Sequence, residues 1–160
     1  EHPLHEAGEE AADRQVRLRW EFCVFVVCCG ARACVGHDNV HAVRSWVASG
    51  ADVDVVDKHR YTPLMEAAYY HNAECVAELL RLGADARRAD LRGSTSLHWV
   101  AQRGRAVGGG AEVVRLLVAA GCDAAVRDIH GHTAVELAKS LRGGAEWGHV
   151  VEGWVSAALG

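Results

Sequence analysis

Proline occupies only 2 of the 160 positions, and methionine, phenylalanine and tyrosine are nearly as scarce, at 1, 2 and 3. With 17 glycines beside so little proline, collagen-like and Pro-rich fibres are excluded. Neither sign of charge dominates: 17 Lys+Arg against 21 Asp+Glu leave a formal net charge of -4. The chain as a whole therefore has no pull toward nucleic acid or an anionic membrane surface. No apolar run approaches the roughly 20 residues that a membrane span needs. The longest runs from Phe22 to Cys29. The acidic stretch from Glu1 to Asp13 does not read as a signal peptide, and the missing initiator Met leads to the expectation of a piece of a longer protein.

What is present is ordinary for a water-soluble domain: 50% hydrophobic and 24% charged residues, enough to bury a core. Six cysteines (23, 28, 29, 34, 75 and 122) are clumped rather than spread, so reduced thiols in an intracellular setting are expected, the cytoplasm first and the nucleus as the alternative.

The chain repeats itself. Gly50-Ala51-Asp52 recurs as Gly83-Ala84-Asp85, 33 residues on, and as Gly121-Cys122-Asp123 after another 38, the second spacing holding a five-residue insertion. Seven residues after each glycine stands a further aspartate (Asp57, Asp90, Asp128), and five beyond it a threonine: Thr62 opens TPLMEAA, Thr95 opens TSLHWVA, Thr133 opens TAVELAK. Asp90 and Asp128 are suited to bind amides of their own turn, and Gly93 and Gly131 to supply positive φ. The threonines are suited to cap a first helix, with Pro63 at its first position. Second helices follow from Glu74 to Leu82 and Glu112 to Ala120, with Val76, Leu79 and Leu80 on one face, closed by Gly83 and Gly121.

A period of 33 with a T-P-L-x-x-A start resembles the ankyrin repeat, a β-turn followed by two antiparallel helices. The resemblance covers about Asp38 to Gly160 and implies an all-α solenoid of about four helix-turn-helix units with β-turn fingers. Each unit buries its apolar face only against its neighbours. Residues 38–160 are read as the array, and residues 1–37 as an irregular segment or an interrupted first repeat. Asn39 to Ser49 fits a second helix with Val43, Trp46 and Val47 inward. Its partner is either Ala31 to Val35 or the TPLHEA-like run from His2 to Ala7; the second makes most of 11–36 an insert and is slightly preferred.

Three departures from the pattern carry expectations. Arg60 stands where a turn glycine belongs, so that finger is strained or differently turned. Lys139 replaces the second alanine of the last first helix, as in a terminal repeat with a polar outer face. After Leu141 the link RGGAEWGH is read as lengthened, with the second helix resuming at Val150.

No catalytic machinery is legible. There is no G-x-S-x-G, the Gly108-Gly109-Gly110 stretch lacks the strand and GK[ST] of a phosphate loop, and His5-Glu6-Ala-Gly-Glu9 lacks the second histidine of a zinc-protease helix. Cys23, Cys28, Cys29, Cys34 and His37 have the wrong spacing for a zinc site and read as small buried hydrophobes. Asp128, His130 and His132 read as a solvated turn, and His98 as a structural histidine. No cofactor, metal or enzymatic activity is expected.

The resemblance further implies that turn positions and the outward end of each first helix form a concave recognition face. On it fall Lys58, His59, Tyr61, Tyr69 and Tyr70, then Leu91, Arg92, Ser94, Gln102 and Arg103, then Ile129, His130, His132, Ser140 and Leu141. All three tyrosines lie there within one unit, outside the repeat's own packing pattern, and Tyr and Arg are favoured at interface hot spots. Residues 57–105 carry 8 Lys+Arg against 6 Asp+Glu while the remainder is net -6. The expected function is a non-enzymatic adaptor or scaffold, monomeric, binding a protein partner with an acidic segment and an apolar anchor. The alternative is the targeting array of a larger enzyme or channel; nucleic acid and membrane binding are not expected.

Overall fold

The computed structural model describes residues 38–56, 58–103, 109–141 and 144–160. The two readings of the first unit, the 11–36 insert and the Cys23–His37 cluster lie outside the described residues, as does Asp57. Seven helices are described: α1 (Asp38–Ala48), α2 (Pro63–Tyr69), α3 (Ala73–Arg81), α4 (Ser96–Arg103), α5 (Gly110–Ala119), α6 (Ala134–Ser140) and α7 (Gly144–Leu159). Among the described residues there is no strand.

The helices stack in two rows. The short helices α2, α4 and α6 pack on one another to form the inner row, and α1, α3, α5 and α7 form the outer row. Ala67, Ala68, Ala101 and Ala138 are completely buried in the inner row. Their small side chains let short helices approach closely enough for Leu64, Met65, Leu97 and Val100 to interdigitate. Val76 and Leu79 of α3 and Val113, Val114 and Leu117 of α5 fill the space between the rows, so one core runs through the units.

Caps decide where the inner helices start. Thr62 Oγ1 accepts from Met65 N at 3.2 Å, with Pro63 in the first turn. Thr133 and Glu136 form a reciprocal capping box. Thr95 departs from the expected cap: its amide and hydroxyl both meet His98 Nδ1 at 3.1 Å. With Nδ1 accepting, His98 Nε2 is the protonated nitrogen, and it donates to His132 O of the next unit at 2.9 Å. His98 thus ties two units together.

The fingers are built on aspartates. Asp90 Oδ1 accepts from Arg92 N and Ser94 N at 2.8 and 3.0 Å, and Asp128 Oδ1 from His130 N and His132 N at 2.9 and 3.0 Å. Gly93 and Gly131 take the left-handed backbone at φ 70° and 77°, and Arg60 adopts it too, at φ 63°. A side chain in this region costs roughly 1 kcal/mol, so the first finger holds the strained form of the turn. Adjacent fingers are laced by Leu91 N donating to His59 O at 3.1 Å and Ile129 N to Arg92 O at 2.8 Å.

Two boundaries correct the sequence reading. The last helix starts at Gly144, not Val150, so AEWGH is helical rather than a lengthened link. Trp147 explains this: it is buried and its Nε1 donates to Ala101 O at 2.7 Å, meeting a carbonyl near the C-terminal end of α4. A Cβ on Gly144 would stand 2.4 Å from Lys139 O, so only glycine lets α7 begin this close to α6. Likewise α5 starts at Gly110 instead of Glu112. Lys139 is exposed on the last inner helix and pairs with Glu152 at 3.0 Å, giving this end a charged surface.

Candidate functional site

The inner row and its fingers carry an aromatic cluster that spans two units. Tyr61 sits where the first finger meets α2, and its ring meets Trp99 of α4 edge to face, centroids 4.7 Å apart. Tyr69, in the last turn of α2, meets Trp99 in the same manner at 5.8 Å. Tyr70, the α2 cap, stands perpendicular to Tyr69 at 5.2 Å, and His59 tilts over Tyr61 at 5.2 Å. Trp99 is anchored from beneath by Asp90, whose Oδ2 accepts from its Nε1 at 3.2 Å.

The repeat pattern alone places the tyrosines outside its own packing. Tyr61 and Tyr69 in fact brace one unit against the next through Trp99, a residue the sequence reading passed over. Its signal was a large aromatic nine residues after the finger aspartate, at a spacing that brings the indole back over the turn.

Arg103 closes the cluster at the C-terminal end of α4, with Cζ 5.1 Å from each of the Tyr69 and Tyr70 ring centroids. Its Nε is buried and has no hydrogen-bond partner among the described residues. Lys58 and Arg92 are exposed on successive fingers, with Leu91 at 61% and Ile129 at 64% among the most exposed large apolar side chains. Gln102 is half-buried beside Arg103, and Ser94 is buried within its turn. His130 and His132 form a separate pair on the last finger, rings 6.5 Å apart, with Ser140 exposed and Leu141 half-buried beyond them. The structure therefore brings His59, Tyr61, Tyr69, Tyr70 and Arg103 together through Trp99. It leaves His130 and His132 outside that cluster.

The outer row has a different electrostatic character. Glu78 is buried on α3 and receives Arg44 Nε at 2.8 Å from α1 and Arg81 Nη2 at 2.5 Å from its own helix. The bonds from Arg81 and then Arg44 pull its carboxyl down to about 2. Glu112 and Arg115 pair on α5. Asp128, in the last finger, is partly desolvated, but the His132 and His130 amides outweigh that and hold its carboxyl below the usual range. Burial raises both described thiols, Cys75 to about 11, so neither is a reactive thiolate near neutral pH. Among the described residues, no group of three or more His, Cys, Asp or Glu is arranged to hold a metal. No described helix is long and apolar enough to cross a membrane.

A stack of helix pairs with laced turns, carrying a half-buried aromatic cluster across two units, is the build of a repeat protein. The chain belongs to the ankyrin-repeat family: the profile described as ankyrin repeats in three copies matches residues 31–128, more than half of the chain. The pair α6 and α7 continues the same stacking beyond the matched residues. Over 111 residues the chain is 36% identical to zygote-specific protein 3 of Chlamydomonas reinhardtii, covering 69% of this chain and 28% of that protein. Over 108 residues it is 35% identical to putative E3 ubiquitin-protein ligase XBAT34 of Arabidopsis thaliana, covering 66% and 27%. Over 102 residues it is 33% identical to the B-cell lymphoma 3 protein homolog of Mus musculus, covering 63% and 22%. The chain thus spans about a quarter of the length of these relatives. Ankyrin repeats are generic, non-catalytic protein–protein interaction modules, and some relatives that carry them are named as enzymes.

Proposed function

We propose that this array is an adaptor or scaffold surface that holds a partner protein on its concave finger and first-helix side, centred on Tyr61, Tyr69, Tyr70, Arg92 and Arg103. The observation that carries the reading is the aromatic cluster capped by Arg103. Tyrosines here are only half-buried, already fixed by edge-to-face contacts, and lie next to exposed bases and exposed Leu91. Side chains fixed before binding lose little entropy when a partner arrives, so a modest contact area suffices for useful affinity. The array works as a monomer in this account, with no catalytic group and no cofactor on the face.

The test is the double substitution Tyr70→Ala/Arg103→Ala. A partner retained by the native chain should bind this variant more weakly by on the order of 2 kcal/mol, measured by titration calorimetry with the purified partner. Unchanged affinity with an unchanged melt would move the binding site elsewhere. A second reading, that the array targets a larger enzyme, is favoured by the named ligases among its relatives and by the fraction of their length that it spans. It uses the same face, and the captured partner would then be that enzyme's substrate.

A further inference from the structure

Arg103 is placed unlike the other bases of the face. Its guanidinium lies against two perpendicular tyrosine rings, and among the described residues its Nε, sealed from solvent, has no partner and no hydrogen bond or ion pair engages its Nη atoms. The stem and inner edge are therefore fixed, and no described residue takes up the outer fork of this half-buried guanidinium. A planar fork held in this way suits a carboxylate, which takes two parallel N–H···O bonds end-on. The rings exclude water from one side, which strengthens the attraction over that of a fully hydrated pair.

The surrounding charge extends the argument. Lys58, Arg60 and Arg92 are exposed on two fingers and make no ion pair with a described residue, whereas Arg87 and Arg88 nearby reach Asp85 and Asp54 at 3.5 and 3.9 Å. These bases are spread along the fingers instead of converging on one point. A phosphate group draws several cations into one cluster. Bases strung out in this way match carboxylates spaced along a chain.

Resting on the proposed face, we infer that the partner is read through an extended acidic segment. One aspartate or glutamate side chain seats on the Nη edge of Arg103, and neighbouring apolar residues lie on the tyrosine rings and on Leu91. Arg103 is the specificity-determining residue, while the finger bases steer the segment and set its salt dependence.

The probe is a phage-displayed random peptide library selected on the full chain. Enriched peptides should share an Asp or Glu beside an apolar or aromatic residue. Synthetic copies should bind Arg103→Lys and Arg103→Gln about tenfold more weakly than the native chain. Replacing the peptide's Asp or Glu by Asn or Gln should erase that difference, a coupling that a merely structural role for Arg103 would not produce. Should Arg103→Gln fail to fold, Arg103→Lys carries the same cycle.

Acidic peptides bound equally by the native chain and both variants, but lost with Lys58→Ala/Arg92→Ala, would overturn the role of Arg103 and leave the face intact. Enrichment of carboxylate-free peptides displaced by Tyr70→Ala, or binding only of phosphorylated peptides, would overturn the partner chemistry and again leave the face. Peptides that no substitution on the face weakens, or no enrichment at all, would overturn the face and this inference with it.

Discussion

The outer row and the tips of the first two fingers treat charge in opposite ways, although bases elsewhere on the finger side, such as Arg127 with Glu136, are paired within the fold. On the outer row, Glu78 collects Arg44 and Arg81, and Glu112 takes Arg115. On the finger side, Lys58, Arg60 and Arg92 have no carboxylate among the described residues, and Arg103 is met by rings instead of an acid. Both rows belong to the same repeat, so its packing does not dictate the contrast. Charges neutralised within the fold serve stability, and charges left open on a rigid scaffold are available to something else.

The largest expected effect breaks the stack that both sides share. Ala68 is fully buried between inner helices, so Ala68→Arg forces a charge and a long stem into the core. The loss should be about 4 kcal/mol or more, seen as loss of the cooperative melt in circular dichroism. A normal melt would contradict the stacking account.

Next comes the face itself. The Tyr70→Ala/Arg103→Ala change, at on the order of 2 kcal/mol in partner affinity, should shift the melting temperature only slightly. An equal loss in stability would mean that these side chains serve packing alone.

On the outer row, Glu78→Gln removes the shared carboxylate and should cost about 1 kcal/mol of stability at neutral pH, with partner affinity untouched. The sign of its pH dependence follows from a carboxyl lowered from 4.5 to about 2. Its contribution is fully present above 4.5 and is lost as pH falls toward 2. Chemical denaturation from pH 6 to pH 2 should therefore be flatter for Glu78→Gln than for the native chain. Equal slopes would remove Glu78 from the account.

The smallest effect is at the first finger. Arg60→Gly relieves the left-handed strain at φ 63°, worth roughly 1 kcal/mol, but enlarges the freedom of the unfolded chain. A net gain of a few tenths of a kcal/mol is expected by urea denaturation. A net loss would mean that the arginine side chain stabilises the finger by some other contact.

The repeat's framework was readable because its signals are local. Asp90 and Gly93 share one turn, and Thr62 and Pro63 open one helix, so spacing alone carries them. What escaped lies in contacts between units. Trp99 reaches back to Asp90 and across to Tyr61 and Tyr69. Trp147 bonds Ala101 O, 46 residues away in the chain. His71 is the clearest case: it takes φ 54° after α2, its Nε2 lies 3.0 Å from Val100 O, and its ring stacks on Trp147 at 6.2 Å. No window of sequence contains those partners together. The recognition positions were legible only as places on a template; which of them converge, as Tyr69 and Tyr70 do on Arg103 and His130 does not, depends on ring directions that spacing does not encode.

The central claim, that the finger side is the working surface, is tested most directly by photo-crosslinking in cells. Benzoylphenylalanine is placed at position 92 on a finger and, in a separate chain, at position 115 on the outer row. The account predicts a discrete protein adduct from position 92 and none from position 115. An adduct formed only from position 115 would contradict it.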